Sequence, residues 1–388
     1  MKIKINNLIY LIFVISFLFY VMSSTYALKG GIYLLYYAKH ISIVLLVIIG
    51  IFLLNRFINK SHIINISCIF FISMPFLFQG ETGFVVFIQY ISLALSALVL
   101  SKIWRKNISY ALILTVFCIS ILPSFIDIIF NNKEFIYNDY WGRDRLLLGY
   151  IHPKEAGIAF IIPILFFRLK INQEKYPLYF KVFFDGMIIL LLFFIQSRNM
   201  VAFYLNFLVL SATIMYLGFK PSLLLFACIY LILPIIGLII YYDEINILLS
   251  NRLFRWEDAN ITWMGIGTSI NPSVNKITNE FSLITKFHID NFYLEYLVEN
   301  GVFPFIVLAA SLIYFVVKIG VEKVGNTYIN SLFIPFLLYC IFDSGMFSTG
   351  NFLNIFIWSI YFSKISYNEK NDLNQSFDCN HEMTGGYL

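Results

Sequence analysis

Residues 182–218 read VFFDGMIILLLFFIQSRNMVAFYLNFLVLSATIMYLG, two apolar stretches separated by the polar tetrapeptide Gln196-Ser197-Arg198-Asn199. Each stretch is about as long as the helix needed to cross roughly 30 Å of hydrocarbon. A lone strand would leave its backbone groups unpaired in lipid, so both stretches must be helical. The sequence here predicts two membrane helices joined by a very short turn that carries an arginine.

The same apolar pattern recurs along the whole chain of 388 residues. Hydrophobic residues make up 60% of the chain and charged residues only 13%, and the mean hydropathy is +0.80. A soluble domain of this length has too little interior to bury that much apolar surface. We therefore predict an all-α polytopic membrane protein, with one transmembrane domain over residues 1–365 and a polar cytoplasmic tail over 366–388.

About twelve transmembrane helices are predicted, near residues 8–27, 32–54, 63–79, 83–101, 108–130, 146–167, 182–197, 200–218, 222–242, 292–317, 328–346 and 349–365. An even number of crossings puts both termini on one side of the membrane. Of the 27 lysines and arginines, 16 lie on that side, which identifies it as the cytoplasm.

Two segments on the outer side, residues 131–145 and 243–291, are longer than the other outer connections. Loops of this length in a compact domain are usually functional or disordered. The second loop, between the ninth and tenth spans, is rich in Trp, Phe, Ile and Leu, so we expect it to pack as an ordered lid or amphipathic piece. Its aromatic residues suit either an interfacial belt or stacking on sugar rings.

Five of the eight arginines lie on the outer side, where the topology rule predicts few positive charges. The guanidinium group is a planar fork that binds the oxygens of phosphate and diphosphate in pairs. The cluster therefore predicts an outer site for a lipid-linked diphosphate, with solvated loop charges or snorkelling anchors as the alternative interpretation. The five are Arg143, Arg145, Arg198, Arg252 and Arg255.

Candidate proton-transfer groups lie at the ends of the two outer segments. His152 precedes Pro153, a residue that fits the first turn of a helix. Glu295 falls about one turn inside the predicted tenth span, where a carboxylate is costly unless it faces protein or water. Residues four apart share one helical face. The polar residues considered in this run are His288, Asp290 as the N-cap, Asn291, Tyr293, Glu295 and Glu299.

Several kinds of chemistry have no sequence motif here. There is no glycine-rich nucleotide loop and no Walker motif, and the five cysteines form no metal pattern. We therefore expect a substrate that is already activated and already exported, no cofactor, no metal ion and no nucleic-acid partner.

In its span arrangement and in five short stretches, the chain resembles the O-antigen and capsule repeat-unit polymerases (Wzy), within the O-antigen polymerase and ligase superfamily. Where that family often has His-Pro-Asn, this chain has His-Pro-Lys at residues 152–154. The matching stretches are Arg145-Leu-Leu-Leu-Gly-Tyr-Ile-His152-Pro153, Ser197-Arg198, Arg252 to Trp256, Gly265-Ile-Gly267, and His288 to Gly301.

The resemblance implies a GT-C-like glycosyltransferase of the bacterial inner membrane, used in lipopolysaccharide or polysaccharide biosynthesis, with its active site facing the periplasm. The donor would be a glycan on undecaprenyl diphosphate, transferred en bloc to a single repeat unit on the same carrier. A chain-length regulator protein would be a further partner.

The resemblance also implies roles for the outer residues. Arg198, Arg252 and Arg255 would bind the diphosphate, and Arg143 or Arg145 the second carrier or the glycan, which Asn291 and Tyr293 would also contact. Of the candidate bases, His288 is preferred, and Glu295 and His152 are the substitutes.

Two other functions fit much of the same pattern. An O-antigen ligase would share the topology and the outer arginines, but it would transfer the glycan to lipid A-core. A flippase for the lipid-linked unit would perform no chemistry. Transporters place substrate groups near the bilayer midplane, whereas the conspicuous polar groups of this chain crowd the outer face.

Overall fold

The computed structural model describes residues 5–28, 43–49, 51–52, 60–105, 108–129, 136–138, 144–174, 176–243, 245, 253, 256, 259, 261–267, 274–275, 286–287, 291–320, 327–343 and 345–363. Within these residues the chain is helical, apart from turns and four strands of two or three residues. The all-α class predicted from the sequence is thereby confirmed.

Twelve helices can be delimited in these ranges, and residues 43–49 and 51–52 are helical as well. The helices are α1 (Ile5–Ser23), α2 (Lys60–Ser73), α3 (Gly80–Leu100), α4 (Tyr110–Ile129), α5 (Pro153–Gln173), α6 (Leu178–Phe194), α7 (Arg198–Leu217), α8 (Phe219–Ile240), α9 (Phe292–Asn300), α10 (Val302–Gly320), α11 (Thr327–Tyr339) and α12 (Phe352–Ser363). Four short 3-10 turns supplement them, at Tyr26–Leu28, Met74–Phe78, Ile103–Arg105 and Cys340–Phe342.

Five helical stretches of the described chain are long and apolar enough to cross a membrane, and four shorter apolar helices accompany them. The protein is therefore a helical membrane protein. The predicted number of about twelve crossings is not tested by these helices. The five stretches are Lys60–Phe78, Gly80–Leu100, Tyr110–Ile129, Arg198–Leu217 and Val302–Ile319.

Two predicted spans were wrong in their bounds. The sixth was predicted to begin at 146, but α5 begins at Pro153, because residues 144–146 form a strand and residues 147–152 form a turn, a β-bridge from Tyr150 to Thr25, and a bend. The tenth was predicted as one helix over 292–317, but Gly301 divides it into α9 and α10. Arg168, predicted to follow the sixth span, lies inside α5, since that helix continues to Gln173.

Short antiparallel strand pairs lie in the two predicted outer loops. In the first loop β1 (Ile136–Asn138) pairs with β2 (Asp144–Leu146), so that Tyr137 lies opposite Arg145. In the second, β3 (Val274–Asn275) pairs with β4 (Lys286–Phe287).

The chain divides into two compact units. The first comprises Met1–Ile66, Ser92–Tyr204 and Thr349–Leu388, and the second comprises Ser67–Ile91 and Leu205–Ser348. In the first unit, α4 packs against both α1 and α5. Its centre is aromatic: the ring of Phe166 stacks on Trp104 at 4.9 Å and meets the edges of Phe13 and Phe356. Such contacts give the unit a well-packed interior.

In the second unit, α10 packs against α9 and α11. A buried apolar cluster contains Leu210, Phe226 and Ile334, and the buried hydroxyls of Ser211 and Ser331 lie 2.5 Å apart. A polar contact between membrane helices satisfies groups that lipid could not hydrogen-bond. The α9–α10 junction is held by a second segment of chain, residues 261–267, through backbone hydrogen bonds.

Candidate functional site

The segment that leads into α5 is anchored in the first unit by its backbone. The amide of Tyr26 donates to the carbonyl oxygen of Gly149 at 2.8 Å, and the amide of Ile151 donates to Ser24 at 2.9 Å. A Cβ at Gly149 would lie 2.4 Å from the carbonyl oxygen of Pro123, so only glycine allows this approach to α4. The start of α5 therefore has a fixed position in this unit.

His152 is the N-cap of α5, and its side chain is exposed. Its Nδ1 accepts a hydrogen bond from the amide of Lys154 at 3.1 Å. Because that bond uses the Nδ1 lone pair, the neutral imidazole carries its proton on Nε2. In this arrangement His152 can donate a hydrogen bond to an anion. Pro153 occupies the first turn of the helix, as the sequence predicted.

Arg198 is the first residue of α7, and its side chain is exposed. Residues 195–197 alone connect α6 to α7, which confirms the very short predicted turn. Gln196 adopts a φ of 53°, and the carbonyl oxygen of Ser197 accepts from the amides of Met200 and Val201. The turn therefore places Arg198 at the positive end of the α7 dipole.

The starts of α5 and α7 meet at Gly157. A Cβ on Gly157 would lie 2.5 Å from Ser197 Oγ and 2.7 Å from Met200 Cγ. His152 precedes Gly157 by five residues, which is roughly 7 Å along the helix. The starts of α5 and α7, which carry His152 and Arg198, thus lie in one region of the first unit. Helix N-termini and guanidinium groups both attract phosphate.

A buried ion pair joins α5 to α6, the helix that precedes Arg198. Asp185 Oδ1 on α6 lies 2.9 Å from Arg168 Nε on α5, and the Tyr204 hydroxyl on α7 donates to the same oxygen at 2.7 Å. Arg168 also donates to Asn172 Oδ1 at 2.8 Å. One carboxylate therefore connects the two helices that carry His152 and Arg198. This network was not predicted from the sequence, although an aspartate in an apolar stretch was the signal for it.

Replacing Asp185 by asparagine is expected to destabilise the protein by about 3–5 kcal/mol, because it leaves the Arg168 charge buried without its partner. Tyr204→Phe removes a single hydrogen bond and should cost about 1 kcal/mol. The measurement is the thermal unfolding midpoint of the purified protein in detergent.

The control for this prediction is the double variant Arg168→Met with Asp185→Leu, which replaces the pair by apolar groups. It should be more stable than Asp185→Asn, since apolar replacement of a buried pair is often neutral. A double variant less stable than Asp185→Asn would contradict the ion-pair explanation.

In the second unit, the start of α9 differs from the prediction. Asp290 was expected to be the N-cap, but the cap is Asn291, whose side-chain oxygen accepts from the amides of Tyr293 and Leu294. The amide of Phe292 donates to the carbonyl oxygen of Asp343 at 2.9 Å. Both residue types cap helices well, so composition alone does not choose between them.

Tyr293, predicted to contact the glycan, donates its hydroxyl proton to the carbonyl oxygen of Leu337 at 2.8 Å. The Tyr296 hydroxyl likewise donates to Ile72 at 2.7 Å. The side-chain oxygen of Asn291 and the hydroxyl protons of these tyrosines are therefore used within the protein, where they fix α9 to its neighbours.

Glu295 and Glu299 are one turn apart on α9, as their spacing predicted. This helix has nine residues, so it is roughly 14 Å long and does not itself cross the membrane. Burial raises the pKa of Glu299 to about 8, and the nearby Glu295 carboxylate adds to the shift. Two carboxyl groups with different environments can act as an acid and a base.

The pKa of Glu299 predicts a pH-dependent stability. Because it is raised from the ordinary value of 4.5 to about 8, the folded state holds this proton more tightly than the unfolded chain does. The stabilisation is complete below pH 4.5 and is lost as pH rises through about 8. In Glu299→Gln the thermal unfolding midpoint should change less with pH between 4.5 and about 8 than in the unmodified protein. The measurement is a thermal scan at each pH.

A matched variant is Glu81→Gln, which changes an acidic residue in the first turn of α3. Its stability should keep the pH dependence of the unmodified protein. If Glu299→Gln also kept that dependence, the buried carboxyl would not be its source.

Residues 261–267 pair with the α9–α10 junction. The amides of Ile266 and Gly267 donate to the carbonyl oxygens of Val298 and Glu299 at 2.9 and 3.0 Å. The amide of Val302 donates to Thr262 at 3.2 Å. At the motif Gly265-Ile-Gly267, the backbone of the 261–267 segment therefore contacts the backbone at the end of α9.

The remaining predicted site residues fall outside this description. Of Arg145 the structure gives the backbone only, in β2. Arg143, Arg252, Arg255 and His288 lie outside the described residues, as does the predicted tail. Among the residues that the structure does describe, no group of His, Cys, Asp and Glu could hold a metal ion.

Comparison with known proteins gives no match: no family model matches this chain, and no curated protein and no solved structure does. The function is therefore inferred from the chemistry of the candidate residues themselves. In the first unit, an exposed arginine and an exposed histidine donor lie at two adjoining helix starts. The second unit carries, separately, a pair of carboxyl groups on α9.

Proposed function

We propose that the protein is an O-antigen polymerase, a membrane glycosyltransferase that moves an undecaprenyl-diphosphate-linked glycan onto a new lipid-linked repeat unit. The observation that carries the proposal is Arg198, exposed at the start of α7 where α5 adjoins it through Gly157. A helical membrane protein with a guanidinium group and a neutral imidazole donor at adjoining helix N-termini suits a lipid-linked anion.

The proposed chemistry begins with the leaving group. As the anomeric bond breaks, negative charge develops on the diphosphate, and donors already in place stabilise it without reorganising. Arg198 would supply a two-pronged contact, and the Nε2 proton of His152 a further hydrogen bond. Arg252 and Arg255 would complete the diphosphate site, and Arg143 or Arg145 would bind the second carrier or the glycan.

The acceptor hydroxyl must lose a proton as the new bond forms. We propose His288 as the base, with Glu295 as its substitute. His152 is the weaker substitute, because the hydrogen bond at Nδ1 leaves its neutral ring as a donor at Nε2. Asn291 and Tyr293 would contribute by holding α9 in position.

The finer topology belongs to the same proposal. About twelve spans, a GT-C-like arrangement, cytoplasmic termini and a periplasmic active site would place Arg198 outside the cell membrane. Labelling an Arg198→Cys variant with a membrane-impermeant maleimide in intact spheroplasts tests this. Reaction only after the membrane is opened would overturn the proposed side.

The direct test is purified protein mixed with undecaprenyl-diphosphate-linked repeat units in detergent. Longer lipid-linked chains are expected, and unchanged single units would contradict polymerase activity and fit a flippase. A deletion strain separates the two transfer reactions. Glycan of one repeat unit on lipid A-core indicates a polymerase, whereas complete loss of attached glycan would indicate a ligase.

A further inference from the structure

An exposed apolar surface lies on the segment that crosses the α9–α10 junction. Residues 261–267 read ITWMGIG and contain no charged side chain. Ile261 is 50% exposed, Trp263 66% and Met264 82%. In water such neighbouring apolar side chains would form an unfavourable patch, so a partner is expected to cover them.

This patch continues onto α10, a helix that is long and apolar enough to cross a membrane. The ring of Trp263 lies 5.5 Å from that of Phe303, the second residue of α10. Phe303, Ile306 and Val307 are all exposed, and further along the same helix Ile313 and Val317 are too. Exposed apolar side chains on a spanning helix face lipid. The segment thus extends the lipid-facing surface beyond the end of α10.

The backbone of the segment is suited to the edge of the bilayer. A non-helical segment near lipid must have its amides and carbonyls paired within the protein. Here Ile266 and Gly267 donate to the end of α9, and Thr262 accepts from Val302 at the start of α10. These bonds let the segment present side chains to lipid while part of its backbone stays satisfied.

The chemistry of the exposed residues selects a lipid surface as the partner. Tryptophan is enriched where a membrane meets water, because its ring is amphipathic. A soluble protein or a sugar would also contact Trp263, but it would not explain the continuity with the lipid-facing side chains of α10. We propose that residues 261–267 insert Ile261, Trp263 and Met264 into the leaflet at the N-terminal end of α10.

Fluorescence quenching in phosphatidylcholine vesicles tests this proposal. The Trp263 signal is the fluorescence of the unmodified protein minus the fluorescence of the Trp263→Phe variant. Lipids brominated near the glycerol end of the acyl chain should remove most of that signal. Bromine near the methyl end and aqueous iodide should remove little of it. The matched control is the Trp358→Phe difference, since Trp358 is fully buried and should respond to neither quencher.

Met264→Trp provides an independent variant should Trp263→Phe fold poorly, and its added emission should show the same quenching. A Trp263 or Met264→Trp signal that bromolipids do not quench overturns the proposal. Iodide sensitivity would then indicate an aqueous loop, and protection from both quenchers a protein partner. No substrate is needed, so this result is independent of the proposed glycosyl transfer.

Discussion

Replacing Gly301 by alanine is expected to destabilise the protein by about 3 kcal/mol or more. Gly301 has φ of 87° and ψ of 178°, a conformation that side-chain-bearing residues avoid. A Cβ there would also lie 2.4 Å from the carbonyl oxygen of Trp263 and 2.5 Å from the amide nitrogen of Gly265. Both neighbours are backbone atoms, so relief requires moving the whole 261–267 segment.

Two other glycines separate the causes of this effect. Gly218 has φ of 85° but open space around its Cβ position, so Gly218→Ala should cost about 1 kcal/mol from the backbone alone. Gly186 lies inside α6 with open space, so Gly186→Ala should be neutral or slightly stabilising. The measurement is the thermal unfolding midpoint in detergent. A loss at Gly301 no larger than at Gly218 would refute the backbone clash.

Under the proposed polymerase function, replacing Arg198 by alanine is expected to reduce the rate of chain extension by about 10²–10³-fold, the loss typical of one preorganised donor to a developing charge. Cells carrying the variant should lack long polymer while still capping lipid A-core with single units. Arg198→Lys should recover a small part of the activity, because lysine keeps the charge but loses the two-pronged contact.

The matched control is Lys220→Ala, which removes an exposed cation from the second residue of α8. It should leave polymer length unchanged, measured as the ladder of glycan lengths on a gel. Polymer of normal length in Arg198→Ala would exclude this arginine from the diphosphate site. Normal protein levels of Arg198→Ala in the membrane fraction are required for the comparison.

Local sequence signals predicted several features of the site. Pro153 was expected in the first turn of a helix and lies there, although the span itself was predicted to begin at 146. The polar residues between two apolar stretches indicated the turn before Arg198. Each of these signals depends on neighbours within a few residues. The same reasoning extended the tenth span across Gly301, because one glycine changes the mean hydropathy of a window very little.

The polar contacts could not be predicted in this way. Asp185 binds Arg168 and Tyr204 on two other helices, and their sequence spacing carries no sign of that pairing. His152 was considered as a base, but its hydrogen bond to the amide of Lys154 favours the tautomer that donates. The raised pKa of Glu299 comes from burial, which depends on the packing around α9.

The sequence by itself determined that this is a helical membrane protein, because the apolar length needed to cross a bilayer is a local property of the chain. Only the tertiary structure decided where helices break and which charges are buried. Those outcomes depend on residues far apart in sequence, such as Trp263 against Gly301 and Asp185 against Arg168. Their contact energies exist only once the chain has packed.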